Sequence, residues 1–469
     1  MFLQREVGLL LTLFLCGCTS LSANTPSFKN SIFGTEETLS QRTYNAKWWE
    51  DLNDPAINAL VSKSFTANPT LEQALAQLDE AKAQLGIAKS EYFPTVGATG
   101  SVTQNYDGNA ETGKRSFTTA IGPSLSWEID LFGRIRNSND AAKSRLNART
   151  ADAQNARVVL ASNVAKTVTD LRACYHSSLA LETDTTSRKE TLNLLSKKVG
   201  AGFSSKTEED SARRDLALSS ITLALQNERC ENNVNALIAL SGTDRVTIQN
   251  LIKRPEREDI RLTIAEPPEF PANIEAISLR NYPSVSAAEF EADAAWADIG
   301  VAKAERLPKL DIAALLTGQW IRAAGTTIDF ASWSLGSTVS ATLFDGGRDA
   351  ANIDASEARY RKAVAVLQGA LRTAVQEAQD ALASQQSANQ RHESAVIAVE
   401  AGQSSLSANE ALWKNGSISL LELEDSRRQL STAQLELITA KRDRAVAWIM
   451  LHRVLGVPIQ KQGQIDEKN

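Results

Sequence analysis

Apolar and polar side chains alternate along the chain in four short runs. Val96, Ala98, Gly100 and Val102 alternate with Thr95, Thr99, Ser101 and Thr103, and Phe117, Ile121, Leu125, Trp127 and Ile129 are set against Thr118, Ser124, Ser126 and Glu128. Further on, Leu310, Ile312, Ala314, Leu316 and Trp320 are set against Asp311, Thr317 and Gln319, and Trp333, Leu335, Val339 and Leu343 against Ser332, Ser334, Thr338, Ser340 and Thr342. A period of two predicts strands with one apolar and one polar face. The runs are about the 9 to 11 residues that a tilted strand needs to cross a bilayer; a soluble sandwich with one wet face produces the same alternation. The segments between them, Asn105 to Lys114 and Arg322 to Thr327, are polar and contain glycine, as exposed turns do. Trp320 and Trp333 are expected beside one turn, and Tyr92, Phe93 and Trp127 at the opposite strand ends, as two aromatic girdles. Four strands cannot close a barrel and an open edge cannot sit in lipid, so spanning strands must find partners in other chains. Three chains would supply twelve strands, within the even-numbered range of such barrels.

A different pattern fills the remainder. Neither proline nor glycine interrupts Arg134 to about Lys198, and only Gly369 interrupts Arg348 to about Glu400. Ala, Leu, Gln and Arg dominate both stretches and favour helices on the order of 100 Å long. Each runs into a glycine turn, Val199 to Phe203 or Trp413 to Ser417, and a second helix returns to Gly242 or Gly456. These are helical hairpins with C-cap glycines and coiled-coil packing. A shorter helix, about Thr70 to Glu91, stops ahead of Pro94. Cys174 lies 28 residues before Gly202 and Cys230 lies 28 after it, which places the two at equal height on antiparallel helices. They form either a disulfide or two buried free thiols on different faces. Ala388 and Arg444 stand at the matching positions of the other hairpin.

The two halves are copies. An offset of 214 residues brings Pro69 onto Pro283, Gly86 onto Gly300, Pro94 onto Pro308, Gly133-Arg134 onto Gly347-Arg348, Gly202 onto Gly416 and Arg213-Arg214 onto Arg427-Arg428. A period this long is a duplicated domain and not a solenoid. It divides the chain into an N-terminal signal (1–17), a linker with a short helix (18–68), a first repeat (69–250), a second linker (251–282), a second repeat (283–456) and a tail (457–469), with helix, β-hairpin and helical hairpin in each repeat.

With 50 basic and 56 acidic residues the chain has no positive field for nucleic acid. His176, His392 and His452 lie on helices outside any metal spacing or nucleophile turn, so no enzyme, metal or cofactor is expected. Arg5 precedes an apolar run, Val7 to Leu15, too short to span a membrane. It ends in Leu15-Cys16-Gly17-Cys18, which resembles the lipobox of bacterial lipoproteins and implies lipid attachment at Cys18, with Thr19 implying delivery to the outer membrane. An ordinary secretory signal with incidental cysteines is the alternative.

The chain resembles the TolC-like outer-membrane factors, in the lipoprotein branch that serves resistance-nodulation-division efflux pumps. The resemblance rests on the lipobox, Trp48-Trp49 with Leu52, Asp54-Pro55 and Leu60, Ala88-Lys89 to Phe93-Pro94, Trp127 to Arg134, Leu343 to Arg348, and Gly416 to Glu422. It implies an α+β membrane protein: a homotrimer with a twelve-stranded transmembrane barrel, four strands per protomer, continued by a helical coiled-coil periplasmic tunnel. It implies outer-membrane lipid, a periplasmic adaptor and an inner-membrane pump as partners, and drugs or other small molecules as cargo. Glu422 and Asp425 match the family's acidic periplasmic gate. They also fit a solvated helix face paired with Arg427 and Arg428. Gly200, Gly202, Phe203, Gly416, Ser417 and Ser419 match the tips where adaptors dock. The rival functions are a periplasmic coiled-coil adaptor or structural lipoprotein, and the outer-membrane part of type I protein secretion.

Overall fold

The structure, a computed structural model, describes residues 47–107, 114–255, 263–268, 282–323 and 326–455. Cys18, the signal, Gly456 and the tail lie outside the described residues, as does much of the second linker.

A 3₁₀ turn (Trp48–Leu52) precedes α1 (Pro55–Ala67) and α2 (Pro69–Ser90). Both helices begin with proline, whose missing N–H costs nothing at a first turn. Asp54 caps α1 by accepting from the N–H of Ala56 at 2.8 Å, and Asn68 caps α2 by accepting from Thr70 and Leu71. Then follow β1 (Thr95–Asp107), β2 (Lys114–Ile129), α3 (Arg134–Gly200), α4 (Lys206–Ser241) and a short α5 (Arg245–Leu251). The second copy is α6 (Pro283–Glu305), β3 (Lys309–Ala323), β4 (Thr326–Ser340), α7 (Arg348–Lys414) and α8 (Leu420–Leu455). The long helices α3 and α7 have 67 residues each and the returning helices α4 and α8 have 36 each, so the copies match in length. Among the described residues no helix is long and apolar enough to cross a membrane.

The chain forms two compact units. Among the described residues, one comprises those within 78–149 and 287–367 and contains the sheet; the other comprises those within 47–77, 150–286 and 368–455 and contains the hairpin turns.

In the first unit the strands make one antiparallel meander, β1-β2-β3-β4. The pair Val96–Leu125 in the first hairpin recurs, 214 residues on, as Leu310–Val339 in the second, so both hairpins keep one register. That register gathers the apolar residues. Val96 pairs with Leu125, Leu125 with Ala314 and Ala314 with Leu335, while one residue along, Thr95, Ser126, Ala313 and Gly336 form a row on the other face. The strands have 13 to 16 residues, longer than the 9 to 11 expected from alternation. Ladder hydrogen bonds continue past the apolar band. Beyond Trp320 the pattern inverts, with Arg322 opposite Phe117 on the apolar face and Ile321 opposite Ile328 on the polar one. Trp127 stands at the helix end of the sheet as expected, its indole N–H donating to the carbonyl of Tyr92 at 3.1 Å. Trp333 does not stand beside a turn. Because β4 already starts at Thr326, Trp333 falls in mid-strand opposite Leu316, and only Trp320 is near the turn.

The second unit holds the main core. Ile57, Leu60 and Val61 of α1 pack with Trp48, with Val164, Val168 and Leu171 of α3, with Val234 and Leu237 of α4, and with Trp448 and Ile449 of α8. The N-terminal segment is thus clamped over the helices. Its polar anchor is Asp54, whose carboxylate accepts a bidentate pair from Arg172 at 2.7 and 2.9 Å.

Candidate functional site

The hairpin turns follow from one sequence pattern used twice. Gly202 and Gly416 both adopt φ of 75°, a left-handed conformation that side chains with a Cβ avoid. The N–H of Phe203 reaches back to the carbonyl of Lys198 at 2.7 Å, and that of Ser417 to Leu412 at 2.9 Å, closing each long helix in a Schellman motif. The returning helices start with capping boxes. Ser205 accepts from the N–H of Glu208, whose carboxylate accepts from the N–H of Ser205, and Ser419 and Glu422 repeat the exchange at 3.2 and 2.8 Å. The Ser204 hydroxyl, followed by the Ser205 N–H, holds the Glu208 carboxyl below its usual range. All six predicted tip residues are exposed, Phe203 at 84%. Sequence reasoning missed Leu421, 72% exposed on the first turn of α8, where the first hairpin has Thr207.

Glu422 and Asp425 are exposed on α8, beside buried Leu423, Ser426 and Leu430. The capping box occupies Glu422. Asp425 accepts from Arg428 at 2.8 Å and from Gln429 at 2.7 Å. Arg427, expected as a partner of this pair, turns elsewhere: it bonds Glu424 at 2.9 Å, approaches Glu410 at 3.6 Å, and donates to the hydroxyl of Ser187 on α3 at 3.1 Å. Its duplicate Arg213 stays within its own hairpin. There Glu209, buried, accepts from Lys206, Ser196 and Arg213, and the first two hold its carboxyl below the usual range. The residue matching Glu209 is Leu423, so Arg427 has no such anchor and reaches across to the first hairpin.

Cys174 and Cys230 are joined in a disulfide, with Cα atoms 5.5 Å apart. His176, placed on a helix by the sequence, is buried, and its Nε2 accepts the N–H of Thr263 at 3.0 Å. The segment 263–268 crosses it, seating Ile264 between Ala173 and Ile438 while Glu266 pairs with Lys441 at 3.2 Å. His452 stacks against Trp448 and Trp48, and burial depresses its pKa. At the base of the sheet Arg134 clamps Glu128 at 2.7 Å and Glu91 at 3.1 Å, fixing the turn from β2 into α3. Among the described residues no group of three metal-ligating side chains converges.

Among the described residues, a sheet with one largely apolar face and two unpaired edges, joined in duplicate to long capped hairpins, fits a channel protein of the outer membrane. Residues 60–243 and 276–457 match the outer membrane efflux protein family, and the chain belongs to it. It is an outer-membrane efflux channel. Nodulation protein T of Rhizobium leguminosarum bv. viciae is 27% identical over 92% of this chain and 88% of its own length. The cation efflux system protein CusC of Escherichia coli K12 is 26% identical over 88% of this chain and 89% of its own. In fold, the chain is similar to the CmeC outer membrane channel of Campylobacter jejuni, with a TM-score of 0.80 at 23% identity over 90% of each chain.

Proposed function

We propose that three copies assemble a twelve-stranded barrel whose long hairpins line a periplasmic conduit, and that drugs or other small molecules leave the cell through it. The register of the sheet carries this reading. Among the described residues it collects most of the apolar side chains of the four strands on one face, suited to hydrocarbon, and leaves β1 and β4 with a neighbour on one side only, which lipid does not tolerate. The lipid on Cys18 tethers the N-terminus to the outer membrane. Asp425, exposed on α8, contributes the main charge of a carboxylate ring at the periplasmic end, and Glu422 lies beside it on the same face while holding the start of its own helix. The exposed tips, with Phe203 and Leu421 as apolar anchors, receive a periplasmic adaptor that connects the duct to an inner-membrane pump of the resistance-nodulation-division type. Detergent extraction followed by native mass measurement tests the assembly. A trimer that dissociates only on heating is expected; a monomer soluble without detergent overturns the reading.

A further inference from the structure

Four large apolar side chains stand on the polar face of the sheet, and all four belong to the second hairpin. Ile321 is opposite Ile328 there, Phe330 is opposite Gln319, and Leu315 is opposite Ser334. Gln319 donates to the hydroxyl of Ser332 at 3.3 Å, which fixes the side of the sheet on which this row lies. None of the four is buried: Ile328 is 58% exposed, Phe330 45% and Leu315 40%, and Ile321 is half-buried. The duplicate positions in the first hairpin are polar. Asp107 matches Ile321, Lys114 matches Ile328, Ser116 matches Phe330 and Ser101 matches Leu315. The register is the same in both, with Asp107 opposite Lys114 as Ile321 is opposite Ile328. Neither the hairpin nor its turn therefore requires apolar residues in this row.

We propose that Leu315, Ile321, Ile328 and Phe330 form a contact site for the apolar part of the cargo, so that the duct serves amphiphilic organic molecules in preference to hydrated metal ions. This rests on the conduit reading above, in which the polar face of the sheet lines the lumen, and adds the chemistry of what touches the wall. A wetted wall gains nothing from apolar side chains, whose hydration is unfavourable until another apolar surface covers them. The row starts at Leu315 in mid-strand and ends at Ile321, next to Trp320 where the outward apolar band stops, so it offers about 20 Å of wall at the turn end of the sheet. The remainder of that face suits ions poorly. Between Thr95 and Asn105, Ser116 and Ser126, Ala313 and Ile321, and Ile328 and Thr338 its residues carry hydroxyls, amides or small groups and no charge. A hard cation that gives up hydration water asks for carboxylates, and finds none along this stretch. A twelve-stranded barrel is wider than inward side chains can fill, so the row is a surface for passing molecules and not a plug.

Single-channel recording from the full-length protein in a planar lipid bilayer tests the site, with rhodamine 6G as the amphiphilic probe and magnesium ion as the hydrated one. In the natural protein rhodamine 6G should interrupt the potassium current in discrete events, and magnesium at the same concentration should not. Combining Leu315→Ser, Ile321→Thr, Ile328→Thr and Phe330→Ser adds no charge and should shorten the rhodamine events about tenfold or more, a factor that needs only about 55 Å² of apolar contact. Potassium conductance should stay within about twofold, because the pore keeps its width and its charges. Ser101→Leu with Ser116→Phe builds half of the row on the first hairpin and should lengthen the events a few-fold, which keeps the site open to test if the combined variant fails to assemble. Rhodamine events that are absent from the natural protein, or equally long in the natural protein and either set of variants, overturn the contact site and leave the conduit standing. Natural protein that inserts as a trimer and conducts no potassium overturns the conduit itself.

Discussion

The N-terminal segment is held by one buried charge pair, and Asp54→Ala should release it. The Asp54 and Arg172 side chains are 5% and 14% exposed, so the pair is in the desolvated regime where removing one member strands the other. An unpaired buried guanidinium costs about 3 to 5 kcal/mol. Asp54 also caps α1, and losing that cap adds about 1 kcal/mol. The two effects share one side chain, so about 4 kcal/mol is a fair central figure for the opening of α1 against the core, equivalent to roughly 10³-fold faster exchange of its amides. Two further variants separate the contributions. Asp54→Asn keeps the cap and loses the charge, and should recover only about 1 kcal/mol. Arg172→Met removes the stranded cation, so in combination with Asp54→Asn it should restore much of the protection. Amide exchange across residues 55–67, measured by mass spectrometry in detergent, reads all four states. Equal exchange in Asp54→Ala and the natural protein, or no rescue by Arg172→Met, would refute the argument that desolvation sets the magnitude.

Replacing Cys174 and Cys230 together by serine should destabilise the α3–α4 hairpin by up to about 4 kcal/mol, the chain-entropy value for their separation of 56 residues, and thermal melts with and without reductant should then coincide. The α7–α8 hairpin, with Ala388 and Arg444 in those places, should be unaffected. Glu208→Ala and Glu422→Ala should each speed exchange of the first-turn amides of their helices a few-fold, whereas only Asp425→Ala should raise single-channel conductance appreciably; a larger conductance change in Glu422→Ala would restore that residue to the gate. Leu423→Glu should cost about 3 kcal/mol or more, because only Arg427 of the partners that surround Glu209 is present there. Adding Leu420→Lys and Glu410→Ser transplants the first hairpin's network and should recover at least half of the lost melting temperature.

Some of this was legible in the sequence, for stated reasons. Alternation was readable because an apolar solvent on one face penalises every polar residue placed there, from Val96 through Val339. The strand ends were not, since hydrogen bonding continues through Tyr106, Arg115 and Arg322 after the apolar requirement has lapsed. Trp333 was misplaced for that reason: its distance from the turn depends on where β4 begins. Equal spacing about Gly202 fixed the heights of Cys174 and Cys230 but not their faces, so pairing was one of two outcomes. Asp54 was visible as a motif beside Pro55, yet its partner lies 118 residues away on another helix. His176 could not be seen as buried because the residues that cover it, Thr263 and Ile264, belong to a Pro-rich linker without periodicity.

Duplication explains more of the molecule than it first suggests, because the copies differ where they have different neighbours. The turns are under the same backbone constraint in both, and Gly202 with Gly416, or Ser205 with Ser419, are unchanged. One helical turn further on, the constraint comes from packing and the copies part. Glu209, with Lys206, Ser196 and Arg213, closes the first hairpin on itself, and the disulfide reinforces it farther along. Leu423 gives the second hairpin an apolar contact in the same place, and the arginine released by that exchange bonds to Ser187 of the first. The first hairpin therefore closes on its own polar network, while the second divides its arginine between its own Glu424 and Glu410 and the first hairpin's Ser187. Glu422 and Asp425 stay exposed on α8 and find their partners locally, Glu422 in the capping box with Ser419 and Asp425 with Arg428 and Gln429.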